Sequence, residues 1–125
     1  MSEHSIMKNR INTIGTDEAV YSFWPFTNKG KLTSVKFMPD AALTTNETNY
    51  VTFNLKLDGT TVASIATNAA GTGSLVAGTE VAVTITGAGT ALEVDEGDQI
   101  AFDYVHAASG IASEGEWVCL FEEIR

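Results

Sequence analysis

Few side chains in this chain could do chemistry, and they are scattered. Histidine occurs twice, as His4 and His106, and cysteine once, as Cys119. A serine or cysteine nucleophile needs a base within hydrogen-bond reach and a third group to orient that base. No Gly-x-Ser-x-Gly stretch is present, and Cys119 sits in the apolar string Trp117-Val118-Cys119-Leu120-Phe121. A thiol in such a string packs as a small hydrophobe rather than reacting. A lone cysteine also excludes an internal disulfide. His106 closes the segment QIAFDYVH and reads as a strand-end residue with its ring at the rim of the fold. A cupin-type metal centre needs a histidine cluster, which two widely separated histidines do not supply.

The acidic groups are more numerous. Asp95, Glu96 and Asp98 form the densest cluster. Calcium takes several carboxylate and carbonyl oxygens, so a cation site is one reading, but the spacing does not match an EF-hand loop. A solvated turn built around Gly97 accounts for the same residues better. Glu114, Glu116, Glu122 and Glu123 could form a carboxylate pair on paper. Glycosidase carboxylates must face each other across a cleft, whereas neighbours such as Glu122 and Glu123 point to opposite faces of a strand. Gly71-Thr72-Gly73-Ser74 lacks the lysine and the following helix of a phosphate-binding loop. Asn46-Glu47-Thr48 fits the glycosylation pattern, which carries little weight without a signal peptide. The expectation is no catalytic residue, no cofactor and no metal ligand.

The elements that would position these groups read as strands. In Tyr50–Leu57 (YVTFNLKL), Val51, Phe53, Leu55 and Leu57 alternate with Tyr50, Thr52, Asn54 and Lys56. Period-two alternation implies one buried and one wet face, and the following Asp58-Gly59 is a strong hairpin signal. Thr60–Thr67 is the returning strand. Further strands are expected over Gly30–Met38, Glu80–Thr86, Gln99–His106 and Glu116–Glu123, with Val35 and Phe37 sharing a face and Ile100, Phe102 and Tyr104 sharing another. Glu18–Phe26 (EAVYSFWPF) carries Pro25, which marks an edge strand or a strand end. Alternation sends Tyr21 and Phe23 to one face and Trp24 and Phe26 to the other, so one aromatic pair could be exposed. Loops are expected over Ala41–Asn49, Asn68–Thr79 and Ala107–Gly115. Residues 1–16 read as a polar N-terminal arm that becomes a strand near Asn12–Thr16, ahead of a domain over 17–125. Eight or nine short strands with Gly-rich turns and no convincing helix indicate an all-β, single-domain sandwich, and eight strands suit a jelly roll.

Composition narrows the function classes. A chain of 125 residues with 44% hydrophobic content makes one domain with one core. No apolar run reaches the length of a membrane helix, and MSEHSIMKNRINTIG has no apolar core of a secretory signal, so synthesis and folding in a cytoplasm are expected. The formal net charge of −9 argues against nucleic acid as a partner, because phosphate contacts need clustered Lys and Arg. From Gly59 onward the only basic residue is Arg125, so one end of the domain is expected to be less acidic than the other.

Three stretches carry a family resemblance: GKLTSVKFMPDAALTTNETNYVTFNLKLDGTTVAS, VAVTITGAGTALEVDEGDQIAFDYVHAASG and EGEWVCLFEEI. With them, over residues 18–123, the chain resembles the small β-sandwich proteins encoded among the virion genes of tailed bacteriophages, described as head decoration, cement or head-fibre proteins. The shared pattern pairs an "NYVTFNL"-like strand with a later "L-x-V-x-x-GD-x-I/L-x-F" strand, here Leu92 to Phe102. The same strand-turn-strand logic occurs in other jelly rolls, including trimeric tumour-necrosis-factor-like domains. The resemblance implies a non-enzymatic jelly-roll subunit that forms homotrimers, binds the major capsid protein on the outer surface of the virion, and reinforces the shell. It would be made in the cytoplasm of the bacterial host. Lys8, Arg10, Ile11 and Ile14 of the arm are the candidate contacts to the capsid or a neighbour, and removal of residues 1–12 is expected to abolish that binding while leaving a folded oligomer. Trp24, Phe26 and Phe37 are candidates for the subunit interface or the core. A receptor- or carbohydrate-binding domain of a phage fibre or tail is the alternative. It would need exposed aromatics near the Asn68–Thr79 and Ala107–Gly115 loops, which contain none.

Overall fold

Asp58 and Gly59 both take positive φ, 50° and 86°, and reverse the chain between two strands. That left-handed pair matches the right-handed twist of the strands it joins. The computed structural model describes residues 3–12, as backbone, and residues 16–124. The strands are β1 (Glu3–Asn12), β2 (Glu18–Phe23), β3 (Lys29–Pro39), β4 (Val51–Leu57), β5 (Thr60–Ala66), β6 (Val81–Ala82), β7 (Thr84–Ile85), β8 (Glu93–Val94), β9 (Gln99–His106) and β10 (Ser113–Ile124), with a 3-10 turn at Gly89–Leu92.

Outward from the Asp58-Gly59 tip the chain pairs with itself as one long antiparallel ribbon: β4 with β5, β3 with β8, β2 with β9, and β1 with β10. Rolling that ribbon gives two sheets. One has the order β1-β10-β3-β6, with β8 also on β3, and the other has the order β2-β9-β4-β5-β7. This is the jelly-roll arrangement, so the all-β sandwich expected from the alternation is the observed fold.

Alternation places the core. Val51, Phe53, Leu55 and Leu57 of β4, Ile100, Phe102 and Tyr104 of β9, and Trp117, Cys119 and Phe121 of β10 are all buried between the sheets. In β3 the pattern slips: Leu32 and Val35, three apart, both face inward. The cause is a bulge, where Leu120 pairs with Ser34 while Phe121 pairs with Leu32. The extra residue, Thr33, donates its hydroxyl to the Leu120 carbonyl at 3.1 Å. A bulge bends a strand, as a rolled sheet requires.

At the centre, Phe37 stacks on Phe53 with centroids 4.5 Å apart, and Tyr104 and Trp117 pack edge-on around them. Trp117 donates its indole N–H to the Tyr104 hydroxyl at 3.0 Å, tying β10 of one sheet to β9 of the other. Buried polar handles of this kind need such a partner. One end of the sandwich is sealed by Leu43 and Leu75, which exchange both backbone hydrogen bonds at 3.0 and 2.8 Å and are both buried.

Two expectations change. Glu80–Thr86 is not one strand. Val81–Ala82 pairs with β3 in the first sheet and Thr84–Ile85 with β5 in the second, so the chain crosses between sheets at the buried Val83. Alternation of Val81, Val83 and Ile85 looks the same whether a strand stays in its sheet or steps to the next. The expected polar arm is, over Glu3–Asn12, a strand paired with β10 along its whole length, from Glu3 opposite Glu122 to Asn12 opposite Ser113. Its sequence is too polar to announce a strand, but the pairing satisfies the edge of β10. Of the expected strand near Asn12–Thr16, residues 13–15 lie outside the described residues.

Candidate functional site

Among the described residues, the groups with chemical potential are committed locally. His106 is held by its ring Nε2 against the Ile111 carbonyl at 3.0 Å, and its backbone N–H donates to the Asp17 carboxylate at 2.7 Å. Nδ1 is buried without a hydrogen bond, 3.9 Å from the same carboxylate. His106 thus holds the loop after β9 through its ring and the residue before β2 through its backbone N–H, with the imidazole buried rather than at an open rim. Cys119 is buried in the core, and burial pushes its thiol up to about 12 from an ordinary 9.0. Such a thiol stays protonated and unreactive.

The Asp95–Asp98 segment is a turn. Asp98 N–H donates to the Asp95 carbonyl at 3.0 Å, the Asp98 carboxylate accepts the Asp95 N–H at 2.8 Å, and Gly97 sits at φ 86°. Among the described residues no group of three His, Cys, Asp or Glu side chains could hold a metal. Glu114, Glu116 and Glu122 are half-buried along β10, and Glu123 is buried on the opposite face from Glu122. Asn46 of the glycosylation-like triplet uses its side-chain oxygen to accept the Thr48 and Asn49 N–H groups.

The sandwich presents its surface more distinctively than its interior. Among the described residues the large apolar side chains left exposed are Tyr21, Phe23, Met38, Val76 and Val105. Tyr21 and Phe23, 58% and 60% exposed, lie two apart on β2, the rim strand of its sheet. Tyr21 stands opposite Ala101, and Ala101 stands opposite Lys56 on its other side. A shallow groove of about 180 Å³ runs over Ala101 between Tyr21, Lys56, Gln99 and Asp103. Lys56 pairs with Asp103 at 3.7 Å, so its polar wall is internally neutralised. A second groove, about 200 Å³, lies on the outer face of the other sheet along Met38, Val118 and Leu120, flanked by the Lys36–Glu80 ion pair at 3.0 Å.

The two aromatics that follow Phe23, Trp24 and Phe26, behave differently. Trp24 is fully buried: its backbone pairs with Asp98 and Gly97, its indole N–H donates to the Asn28 carbonyl at 2.8 Å, and its ring meets Phe26 and Phe121 with centroids 4.9 Å away. Gly30 makes room for it, since a Cβ there would lie 2.5 Å from the indole. Phe37 is fully buried as well, and Phe26 packs half-buried on the core. All three candidate core or interface residues thus lie in or against this chain's own core. Sequence reading missed Gly30 and Gly115. A Cβ on Gly115 would lie 2.5 Å from the Phe37 ring, and a glycine inside a strand was the available signal.

Lys8, Arg10 and Ile11 lie on β1, opposite Trp117, Gly115 and Glu114, and Ile14 lies outside the described residues. Deleting residues 1–12 would strip the edge of β10, so point substitutions at Lys8 and Arg10 are the cleaner probe of a contact. No helix among the described residues is long and apolar enough to cross a membrane.

No family model and no curated protein matches the sequence. Among solved structures, the chain is similar to one in the structure of infectious bursal disease virus Gx strain, with 14% identity, a TM-score of 0.46, and coverage of 96% of this chain and 32% of that one. It is also similar to a chain of the Gt strain structure, with 12% identity, a TM-score of 0.25, and coverage of 99% and 40%. This chain therefore spans well under half the length of those it matches.

Proposed function

We propose that this protein is a non-enzymatic virion subunit that binds the outside of a tailed-phage capsid as a homotrimeric decoration protein. The observation that supports this reading best is the contrast between interior and surface. The space between the sheets is filled by packed aromatics, and His106, Cys119 and the acidic turn are locked in structural contacts. Among the described residues, what remains free to act is surface. Jelly rolls serve viral capsids, lectins and cupins alike, so the fold is compatible with this role without dictating it. A net charge of −9 keeps many copies soluble and mutually repelled until each is docked. Repetition of one modest contact around a symmetry axis adds avidity.

Lys8, Arg10 and Ile11 of β1, together with Ile14, remain the proposed contact to the major capsid protein. The test is co-sedimentation of the purified protein with capsids that lack it, together with its mass in solution by light scattering. A trimer that sediments with capsids, and loses that ability with Lys8→Glu and Arg10→Glu, is the expected outcome. A protein that stays in the supernatant at saturating concentration defeats the proposal.

A further inference from the structure

We propose that the outward face of the sheet containing β2, β9 and β4 binds a neutral saccharide, seated in the groove over Ala101 and stacked on Tyr21. Every residue that forms the groove lies within the described chain. The strand register sets its cross-section. Tyr21 stands opposite Ala101 and Ala101 opposite Lys56, so a methyl group lies between two long side chains. Ala101 points away from the core, between the inward Ile100 and Phe102, yet is only 3% exposed, because those neighbours rise on either side of it. One row along β9, Asp103 stands between Ala19 of β2 and Asn54 of β4. In the other direction Gln99 stands opposite Phe23.

The two walls differ in chemistry, and the difference selects the occupant. On the β2 side the exposed Tyr21 ring offers an apolar surface with a hydroxyl tip. On the β4 side Lys56 Nζ lies 3.7 Å and Asn54 Nδ2 3.5 Å from Asp103 Oδ2. Both contacts reach the same oxygen. They hold the carboxylate in place and, among the described residues, leave its Oδ1 to accept from a ligand. An anion would meet that carboxylate and a chain of net charge −9. A cation would find the carboxylate already answered by Lys56. A wholly apolar ligand would strip water from Lys56 and Asp103 and return no hydrogen bond. What suits both walls is a neutral molecule with an apolar face and a rim of hydroxyls, which describes a sugar ring.

The site extends along the strand. Phe23, also exposed, lies two residues on from Tyr21, about 7 Å along β2. Its neighbour Gln99 carries a side-chain amide that both donates and accepts. A ring stacked on Tyr21 and bonded to Asp103 is thus followed by a second apolar platform with its own polar partner. The ligand is therefore a short linear oligosaccharide rather than a single sugar. The inference goes beyond the decoration reading and does not rest on it, because this face belongs to the sheet that lacks β1, where the capsid contact is proposed.

The test uses the full chain and the neutral sugars cellohexaose, maltohexaose, chitohexaose and mannohexaose, with hexagalacturonate as the acidic control. The readout is the amide chemical shift of each residue during titration. At least one neutral hexasaccharide should move the amides of Tyr21, Phe23, Ala101 and Lys56 with a Kd below about 10 mM. Salt should barely change that affinity, since the ligand carries no charge. The acidic control should bind at least about tenfold more weakly. Tyr21→Ala and Asp103→Ala should each weaken binding about tenfold, and Tyr21→Ala, at an exposed position, should melt as the parent does. No neutral hexasaccharide bound at that concentration, shifts that map outside this sheet, or an affinity untouched by Tyr21→Ala would each overturn the proposal. Shifts of the same amides on raising the protein concentration alone would do so too, by giving the face to a second copy. Capsid sedimentation is read separately: a protein that binds saccharide but ignores capsids keeps this inference and loses the decoration reading, and the converse holds.

Discussion

Four aromatics fall within residues 21–26, and they meet opposite fates. Tyr21 and Phe23 are the exposed pair on the rim of one sheet, while Trp24 is fully enclosed and Phe26 leans on it. Hydrophobicity does not separate them. Geometry does: Val20 and Ser22 occupy the inward positions of β2, so the bulky residues between them must face out. Past Phe23 the chain turns over the end of the sandwich, where a gap above Gly30 and Phe121 accepts an indole. An aromatic residue is therefore interior where a glycine or a bend opens space for it, and a contact surface where the sheet offers none.

The sharpest way to break this contrast is to remove the enclosed member. Trp24→Ala deletes a fully buried indole and its hydrogen bond to Asn28, with an expected loss of about 3–5 kcal/mol in denaturant unfolding. A loss below about 1 kcal/mol would mean the end of the sandwich closes without it. Gly30→Ala attacks the same seat from the other side. The added methyl meets the indole at 2.5 Å, so overpacking of about 1–3 kcal/mol is expected, with a shifted tryptophan emission spectrum.

Tyr104→Phe leaves the Trp117 N–H without its acceptor between the sheets, at an expected cost of about 1–3 kcal/mol and little change in the far-ultraviolet spectrum. Cys119 should resist alkylation in the native state and react only on unfolding. Its thiol is raised in the folded state, so the stability it contributes is whole below pH 9 and is lost as pH rises from 9.0 toward about 12. Titrating stability over that window, with Cys119→Ala as the reference, checks the sign. The smallest effect belongs to the exposed pair. Tyr21→Lys with Phe23→Lys should change stability by no more than about 0.5 kcal/mol per site, because neither side chain fills the interior.

Much of this fold was legible in the chain. Val51 to Leu57 alternate without interruption, Asp58-Gly59 marks its own turn, and Ile100, Phe102 and Tyr104 share a face, because a strand's period of two is written directly in side-chain polarity. Local chemistry also sufficed for the Asp95–Asp98 turn and for the inert Cys119.

What lay beyond it was whatever depends on a partner far along the chain. Glu3–Asn12 became a strand because β10 offered an edge, not because its own residues favour one. Glu80–Thr86 divided between two sheets because Val83 sits at a corner that only the rolled ribbon creates. The bulge at Thr33 answers to Leu120, and Gly30 and Gly115 answer to rings on other strands. Which aromatic pair would be covered was undecidable from residues 21–26, since both are equally apolar. The sequence by itself determined the alternating strands from Val51 to Leu57 and from Gln99 to His106, and the Asp58-Gly59 and Asp95–Asp98 turns. The tertiary structure decided which edges stay open and which rings stay outside, because burial is a property of the space between elements and not of the residues within one.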